Sequence, residues 1–497
     1  MTITTSHRHK NAPSHTATRS AGPAGALGPL AAVIGIFACL PIAIVRAQPP
    51  LQAQLERLVA EHENASLGVV GLSAVDVATG QPLAHIRSDN LFCPASNAKL
   101  LTAAVALERL GKDFQFTTML CAVGGDLVVT GDGDPTLGDP VVARSEGKTI
   151  YTELDRWSEQ VRNTLGQRIS GNLLVCGVSD ISRYRHEDWP GNQHRRWYAA
   201  PVAGLNFNDN CLDVVFRVQD GCVEPIVEPR SWLMKVVNEV TPGKRHIWNL
   251  SLSDGDALVT LTGTALRSTN EPISVAVDDP PMLLGRVLAD RLARAGVTIA
   301  GKVRPVAPTQ VDWSRAKLIA RTRTALQKAL HRSNKKSLNL AAECLLLRGG
   351  DGTWPGSVKL AKQTLIKTLG LTEGSFEMRD GSGLSKGNRL SPAAMTKLLS
   401  GMLRRPASGQ FIESLPISGT DGTLARRLND GLCKGRIRAK TGYIAGVSAL
   451  SGYVCDKAGR PRIAFCVLVN RVPAGKGFKA KQLQDAICRI LAKRLTK

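Results

Sequence analysis

The order of hydrophobic and polar positions divides the chain into two mixed helix-and-strand regions around a middle of short apolar runs. In the first region the pattern predicts a helix over 51–63, a strand over 66–76 and an Ala- and Leu-rich helix over 96–110, which Gly111 ends. The middle, 113–284, contains runs typical of short strands with turn-rich pieces between them. These runs are 127–130, 171–178, 212–218 and 257–262.

Helical periodicity returns after position 284 and continues to the end of the chain. The predicted helices are 283–295, 324–331, 339–347, 358–369, 392–403 and 481–494, and the predicted strands are 449–455 and 463–470. Because 497 residues exceed one ordinary domain, we expect a main domain in two segments, 48–112 and 285–497. A β-rich insertion at 113–284, which could hold two nested domains, would interrupt it.

The first 47 residues have the pattern of a targeting segment rather than of a folded element. A basic stretch with Arg8, Lys10 and Arg19 precedes an apolar run over 27–45, and Ala47 follows. This order is typical of a secretory signal peptide. The apolar run has about the length of a membrane span, so an uncleaved N-terminal anchor stays open. Both alternatives predict export to the periplasm or cell envelope.

Composition and charge add a preference for an anionic partner. The 64 Lys and Arg outnumber the 41 Asp and Glu, for a net charge of +23, which favours nucleic acid, an anionic membrane or an acidic polymer. Export argues against nucleic acid and leaves an anionic wall or peripheral contact with a membrane surface. A hydrophobic content of 43% excludes wholesale disorder.

The cysteines do not predict a metal site. The 11 Cys are scattered with no C-x-x-C pair, so we expect no bound metal. Free buried thiols are the favoured interpretation. Disulfides stay open, and Cys211 and Cys222 are a close pair in the sequence.

Three short motifs carry the candidate chemistry. In the first, Ser96 begins a helix and Lys99 lies about one turn further, on the same face. A neutral amine there can take the proton of the serine and make it a nucleophile. On its own this motif is weak, because an N-cap serine beside an exposed lysine gives the same pattern. The second motif is Ser337-Leu338-Asn339, and the third is Lys440-Thr441-Gly442.

The order of these motifs is the signature of penicillin-binding proteins and related β-lactamases. Six longer segments strengthen the resemblance: 92–102, 131–137, 200–210, 380–385, 415–424 and 439–447. Together they resemble the class C low-molecular-mass penicillin-binding proteins, the serine-type D-alanyl-D-alanine carboxypeptidases and endopeptidases. The long separation of Ser96 from Ser337 agrees with the insertion of that branch. The resemblance implies an α+β fold with a transpeptidase domain, in which helices flank an antiparallel sheet.

The resemblance also implies a role for each motif residue. Ser96 would be acylated, Lys99 would be its base, and Ser337 with Lys440 would pass the proton to the leaving amine. Asn339 would bind the substrate backbone and orient Lys99.

The third motif would bind the C-terminal end of the substrate. Lys440 and Thr441 would hold the terminal carboxylate, and Gly442 would let the substrate backbone approach the strand. The N–H groups of Ser96 and Tyr443 would form the oxyanion hole.

The implied function is a D-Ala-D-Ala carboxypeptidase acting on peptidoglycan stem peptides, and endopeptidase activity at the same site stays open. Penicillin and other β-lactams would be covalent inhibitors, and no cofactor is expected. Two alternatives stay open on the same fold. One is a non-catalytic peptidoglycan-binding protein, and the other is a β-lactam or ester hydrolase.

Weaker features receive structural interpretations. The carboxylates of Asp132, Asp134 and Asp139 predict a turn rather than a calcium loop. The 380–383 loop is expected at the rim of the site, and His186 and His194 in packing. For the last helix, packing on the sheet is favoured over binding to a membrane surface.

Overall fold

The computed structural model describes Ile3–Thr4 and residues 50–177 and 185–496. Apart from Ile3–Thr4, the predicted signal or anchor over 1–47 lies outside the described residues. The helices are α1 (Leu51–Asn64), α2 (Ala98–Leu110), α3 (Pro140–Ser145), α4 (Thr152–Leu165), α5 (Pro280–Arg294), α6 (Leu326–Lys335), α7 (Asn339–Arg348), α8 (Trp354–Gln363), α9 (Pro392–Met402), α10 (Ser408–Glu413) and α11 (Gly477–Arg494).

The strands are β1 (Ile3–Thr4), β2 (Val69–Asp76), β3 (Pro82–Ile86), β4 (Gln115–Val123), β5 (Asp126–Gly131), β6 (Arg168–Ile169), β7 (Leu173–Cys176), β8 (Cys211–Gln219), β9 (Cys222–Glu228), β10 (Lys235–Pro242), β11 (Ile247–Ser253), β12 (Leu258–Ala265), β13 (Ile273–Ala276), β14 (Thr298–Ile299), β15 (Val303–Pro305), β16 (Ala316–Ala325), β17 (Phe376–Glu377), β18 (Arg389–Leu390), β19 (Ile437–Ile444), β20 (Val447–Cys455) and β21 (Pro461–Asn470).

A five-stranded antiparallel sheet in the order β19-β20-β21-β2-β3 forms the centre of the main domain. Every residue of β20 is buried, because helices cover both faces of the sheet. On one face, α11 buries Leu483, Ile487 and Leu491 in a core that it shares with α1. On the other face lie α2, α7 and α9. The predicted packing of the last helix on the sheet is therefore what the structure has.

The buried helix α2 extends the core away from the sheet. All residues from Ala98 to Leu107 are buried, because α6 and α7 cover the side of α2 that does not face the sheet. A short helical turn, Ala95–Asn97, joins this helix to the strand region. The first motif thus lies at the junction of the sheet and the helical layer.

The insertion contains a five-stranded sheet, β15-β7-β5-β4-β16, and two smaller sheets built from β8 to β13 with β1. Two helices, α4 and α5, pack against the five-stranded sheet. The pattern of short apolar runs predicted β5, β7, β8 and β12 but not α4, whose inner face buries Leu154, Trp157 and Val161. The apolar runs do not indicate this amphipathic helix, because most of its residues are polar or charged.

The helix α5 belongs to the core of the insertion, although the pattern predicted it in the main domain. Its residues Leu284, Val287 and Leu288 share one hydrophobic cluster with β5, β7 and α4. Further on, β16 pairs along its length with β4, so its last residues, at the start of the helix predicted over 324–331, are strand. These two observations lead us to propose that the insertion ends near Ala325 rather than at 284. The sequence pattern could not show this, because amphipathic periodicity indicates that a helix has a buried face but not which core that face joins.

Candidate active site

The nucleophile candidate lies where the chain enters α2. Ala95 has a left-handed backbone (φ 46°), and Ser96 follows in the turn Ala95–Asn97. Ser96 is the one residue with intermediate exposure in an otherwise buried segment from Phe92 to Leu107. Ser96 is therefore partly accessible to solvent, while the segment around it is held in the core.

Lys99 is fully buried and has three hydrogen-bond partners. Its Nζ lies 3.1 Å from Ser96 Oγ, 2.6 Å from Asn339 Oδ1 and 2.8 Å from the carbonyl oxygen of Ser382. Burial lowers the pKa of Lys99 to about 7, although the carboxylates of Glu343 and Asp380 favour its charged form. A large share of the amine is therefore neutral near neutral pH.

The second motif lies in the turn between α6 and α7. Ser337 has a left-handed backbone (φ 59°), which separates the two helices and turns its side chain toward Lys440. The Lys440 Nζ donates to Ser337 Oγ at 2.9 Å and to the carbonyl oxygen of Thr441 at 2.8 Å. At the start of α7, the Asn339 amide donates to the carbonyl oxygen of Tyr198 at 2.7 Å.

The third motif lies on the edge strand β19. Lys440 is fully buried, and burial together with the nearby Lys99 holds its pKa well below the ordinary value. Thr441 Oγ1 donates to Thr423 Oγ1 at 2.8 Å. The ring of Tyr443 is 59% exposed and has the ammonium group of Lys481 5.5 Å from its centroid.

Gly442 lies close to the turn that carries Ser96, and its role in the approach of substrate stays a prediction. A Cβ atom there would lie 2.9 Å from the carbonyl oxygen of Pro94 and 3.2 Å from the backbone N of Ser96. The absence of a side chain therefore lets β19 pack directly against the turn that carries Ser96.

The structure brings together the eight predicted residues, and it adds two buried carboxylates that the motifs did not include. Glu343, on α7, and Asp380 are fully buried. Asp380 accepts hydrogen bonds from Trp189 Nε1 at 3.0 Å and from the backbone N of Gly383 and Ser385 at 2.8 and 2.7 Å. The signal for Glu343 is present in the sequence as the one acidic residue in the apolar helix predicted over 339–347.

Asn97, between Ser96 and Lys99, joins the first motif to the third. In the amide orientation that satisfies both ends, its nitrogen donates to the carbonyl oxygen of Lys440 at 2.9 Å, and its oxygen accepts from Ser451 Oγ at 2.6 Å. The turn carrying Ser96 and the strand β19 are thus linked by a buried hydrogen bond as well as by close packing.

The weaker candidates have structural roles. Asp139 caps α3 through the backbone N of Val141 and Val142 at 2.8 and 2.9 Å, and His186 packs edge-on against Trp354. Within 50–177 and 185–496, no cluster of His, Cys, Asp and Glu could hold a metal ion. The ten cysteines described are free thiols, and all except Cys222 are buried.

Comparison with known proteins identifies the family. The model of the D-Ala-D-Ala carboxypeptidase 3 (S13) family matches residues 51–494. A D-alanyl-D-alanine carboxypeptidase of Actinomadura sp. (strain R39) is 28% identical, over 93% of this chain and 90% of its own length. The D-alanyl-D-alanine carboxypeptidase DacB of Haemophilus influenzae is 25% identical, over 82% and 86%. The chain belongs to the S13 family and is a serine-type D-Ala-D-Ala carboxypeptidase, as the motifs predicted.

Solved structures confirm the predicted fold. Penicillin-binding protein 4 of H. influenzae superposes with a TM-score of 0.69 at 23% identity, over 90% of this chain and 99% of that one. The same protein in complex with a β-lactam gives a TM-score of 0.67 over the same shares of the two chains, again at 23% identity. Both likenesses show the penicillin-binding-protein fold.

Proposed function

We propose that this chain removes the terminal D-Ala from peptidoglycan stem peptides through an acyl-enzyme on Ser96. The penultimate D-Ala carbonyl is attacked by Ser96 Oγ, the D-Ala–D-Ala bond breaks, and water then hydrolyses the ester. The observation that carries the proposal is the contact of Ser96 with the buried, partly neutral Lys99. The named activity of the relatives supports the choice of substrate.

The hydrogen bonds of Lys99 fit a general base. A neutral amine has two N–H groups and one lone pair. Asn339 Oδ1 and the Ser382 carbonyl oxygen can only accept, so they take the two N–H groups. The lone pair is left for the third partner, the Ser96 hydroxyl. The amine is thus oriented to accept the proton of Ser96 as its oxygen attacks.

Ser337 and Lys440 serve the leaving group and the substrate carboxylate. Lys440 donates to Ser337 Oγ, which leaves the Ser337 hydroxyl proton free to pass to the departing amine. In exchange, Ser337 takes up the proton that Lys99 removed from Ser96, so both serine hydroxyl groups and the amine are accounted for. The carboxylate of the terminal D-Ala binds near Lys440 and the Thr441 hydroxyl, since the negative charge of the carboxylate favours the ammonium form of Lys440 and the hydroxyl can donate to it. The N–H groups of Ser96 and Tyr443 stabilise the oxyanion.

A fluorescent penicillin tests the nucleophile. The lactam carbonyl would acylate Ser96 and open the ring. We predict stable labelling of the purified protein, and a loss of labelling and of D-Ala release by more than roughly 10⁴-fold in Ser96→Ala. Ser314→Ala, on the surface of the insertion, is the matched control and should label like the wild type. Equal labelling of Ser96→Ala would overturn the assignment.

The same experiments separate the alternatives. A non-catalytic peptidoglycan-binding protein would release no D-Ala from muropeptides, and a β-lactam hydrolase would release hydrolysed penicillin rapidly instead of staying labelled. Cleavage of cross-linked dimers would add endopeptidase activity at the same site.

We further propose that the protein works in the cell envelope after export, where its net charge of +23 favours the anionic wall. Among the described residues no helix is both long and apolar enough to span a bilayer. The apolar face of α11 is buried in the core. Any contact with a membrane surface would therefore use the exposed Phe478 and the lysines around it. Sedimentation with anionic vesicles, comparing the wild type with Phe478→Ser, tests this contact.

A further inference from the structure

We propose that Glu343 is a positioning residue for Lys99, because its carboxylate fixes the backbone turn that holds the Lys99 amine and its charge acts on that amine. This inference rests on the proposed role of Lys99 as the base. Glu343 does not touch substrate or Ser96 itself. It lies on the far side of Lys99, one helical turn beyond Asn339 on α7.

The carboxylate of Glu343 ties three segments together. Its Oε1 accepts from the backbone N of Ser382 at 2.7 Å, and its Oε2 accepts from the backbone N of Gly381 at 2.9 Å and from Trp354 Nε1 at 3.0 Å. The carbonyl oxygen of the same Ser382 accepts from Lys99 Nζ. Only one residue therefore separates the carboxylate from the amine, and the position of the amine depends on the turn that Glu343 holds.

The turn at Ser382 is also pressed against the nucleophile segment. A Cβ atom at Gly383 would lie 1.9 Å from the carbonyl oxygen of Ala95, and Thr102 Oγ1 on α2 donates to the Gly381 carbonyl oxygen at 2.7 Å. A change in the Glu343 hydrogen bonds would therefore shift the backbone that contacts Ala95, before Ser96, and Thr102, after it.

Four buried titratable side chains, two lysines and two carboxylic acids, surround this turn. Lys99 from α2, Lys440 from β19, Glu343 from α7 and Asp380 from the following loop are all fully buried. Burial and the neighbouring Asp380 raise the pKa of Glu343 to about 7, while three N–H donors on its oxygens favour the ionised form. The Cys344 thiol also lies near, and burial raises its pKa well above the ordinary value, so it stays neutral.

The sign of the effect follows from these charges. An ionised Glu343 favours the ammonium form of Lys99, so it raises the pH at which the neutral base becomes available. Because Lys99 and Glu343 titrate in the same range, the acid limb of the acylation rate belongs to the pair. Removing the negative charge should lower the pKa of Lys99 and extend activity to lower pH.

The test is the pH profile of acylation by penicillin, measured by stopped flow on the full chain from pH 5 to 9. In Glu343→Gln we expect the acid limb to move to lower pH by about one unit, together with a lower maximal rate because the amide cannot accept all three N–H groups. Glu343→Asp keeps the charge and should keep the limb of the wild type, whatever its maximal rate. A limb that stays in place in Glu343→Gln would overturn the proposal.

Two further outcomes keep the inference separate from the proposed function. If the wild type itself has no acid limb near pH 7, the role of Lys99 as the base fails, whatever Glu343 does. If Glu343→Gln does not fold, Trp354→Phe removes one donor from the carboxylate and weakens its ionised form. That variant should move the limb in the same direction by a smaller amount, and an unmoved limb would again overturn the proposal.

Discussion

At the residue scale, the candidate chemistry depends on a lysine that the protein keeps partly neutral. The motif pattern named Lys99 and its partners Ser96 and Asn339, and the structure places all three within hydrogen-bond reach. The pattern could not show why the amine loses its proton, because that follows from complete burial. The motifs could not indicate Glu343 either, since it acts through Ser382 and Trp354, which are distant from Lys99 in the sequence.

Asn339→Asp tests the control of the Lys99 pKa by adding a negative charge beside the amine. The change keeps the shape of the side chain but places a carboxylate 2.6 Å from Lys99 Nζ. An adjacent negative charge favours the ammonium form, so we predict that the acid limb of acylation moves to higher pH by about 1–3 units. Asn238→Asp, in the insertion, is the control and should leave the limb in place. An unchanged limb in Asn339→Asp would show that Lys99 does not control the rate.

At the element scale, the strand β19 and the turn before α2 form one packed unit. The alternation of the sequence predicted β20 and β21 but not β19, whose residues mix charged and small side chains. Its place at the sheet edge comes from its register with β20, which pairs Lys440 with Ser451 and Gly442 with Ala449. The reason for a glycine in the third motif is equally tertiary, because the turn that fills the space comes from a distant part of the chain.

Gly442→Ala tests this packing. The added methyl group would lie 2.9 Å from the Pro94 carbonyl oxygen and 3.2 Å from the Ser96 backbone N, so the nucleophile turn must shift. Because small displacements of reacting groups can be costly, we predict acylation slower by roughly 10²-fold, measured with a chromogenic cephalosporin. Gly409→Ala, in α10 with open space around it, should acylate at the wild-type rate. Equal rates in the two variants would contradict the packing argument.

At the scale of the whole molecule, the insertion contacts the active site directly. Tyr198 accepts from Asn339, and Trp189 donates to Asp380. The buried guanidinium group of Arg332, at the end of α6, pairs with Asp139 and, at 2.6 Å, with Asp209, both from the insertion. These contacts hold the turn of Ser337 between the two units, so the insertion supports the site rather than standing apart from it.

Arg332→Met tests the joint between the two units. It would leave the buried Asp139 without its cation, and the loss of one partner of a buried pair costs about 3–5 kcal/mol. We predict a lower denaturant midpoint by intrinsic tryptophan fluorescence, and weaker β-lactam labelling near that midpoint. Arg460→Met removes an exposed partner of Asp456 and should leave the midpoint unchanged. Equal midpoints for the two variants would exclude an important role for the joint.

The sequence by itself determined the family, the three motifs, the eight candidate site residues, the α+β class and most of the helices, because these depend on residue identity and on periodicity within a short window. Only the tertiary structure shows that α5 shares a hydrophobic core with strands of the insertion, that Gly442 packs against the nucleophile turn, and that Glu343 and Asp380 lie near Lys99. Each of these depends on which distant segments share a buried space. Burial is also what sets the pKa of Lys99, so the property that makes the motif reactive is not contained in the motif.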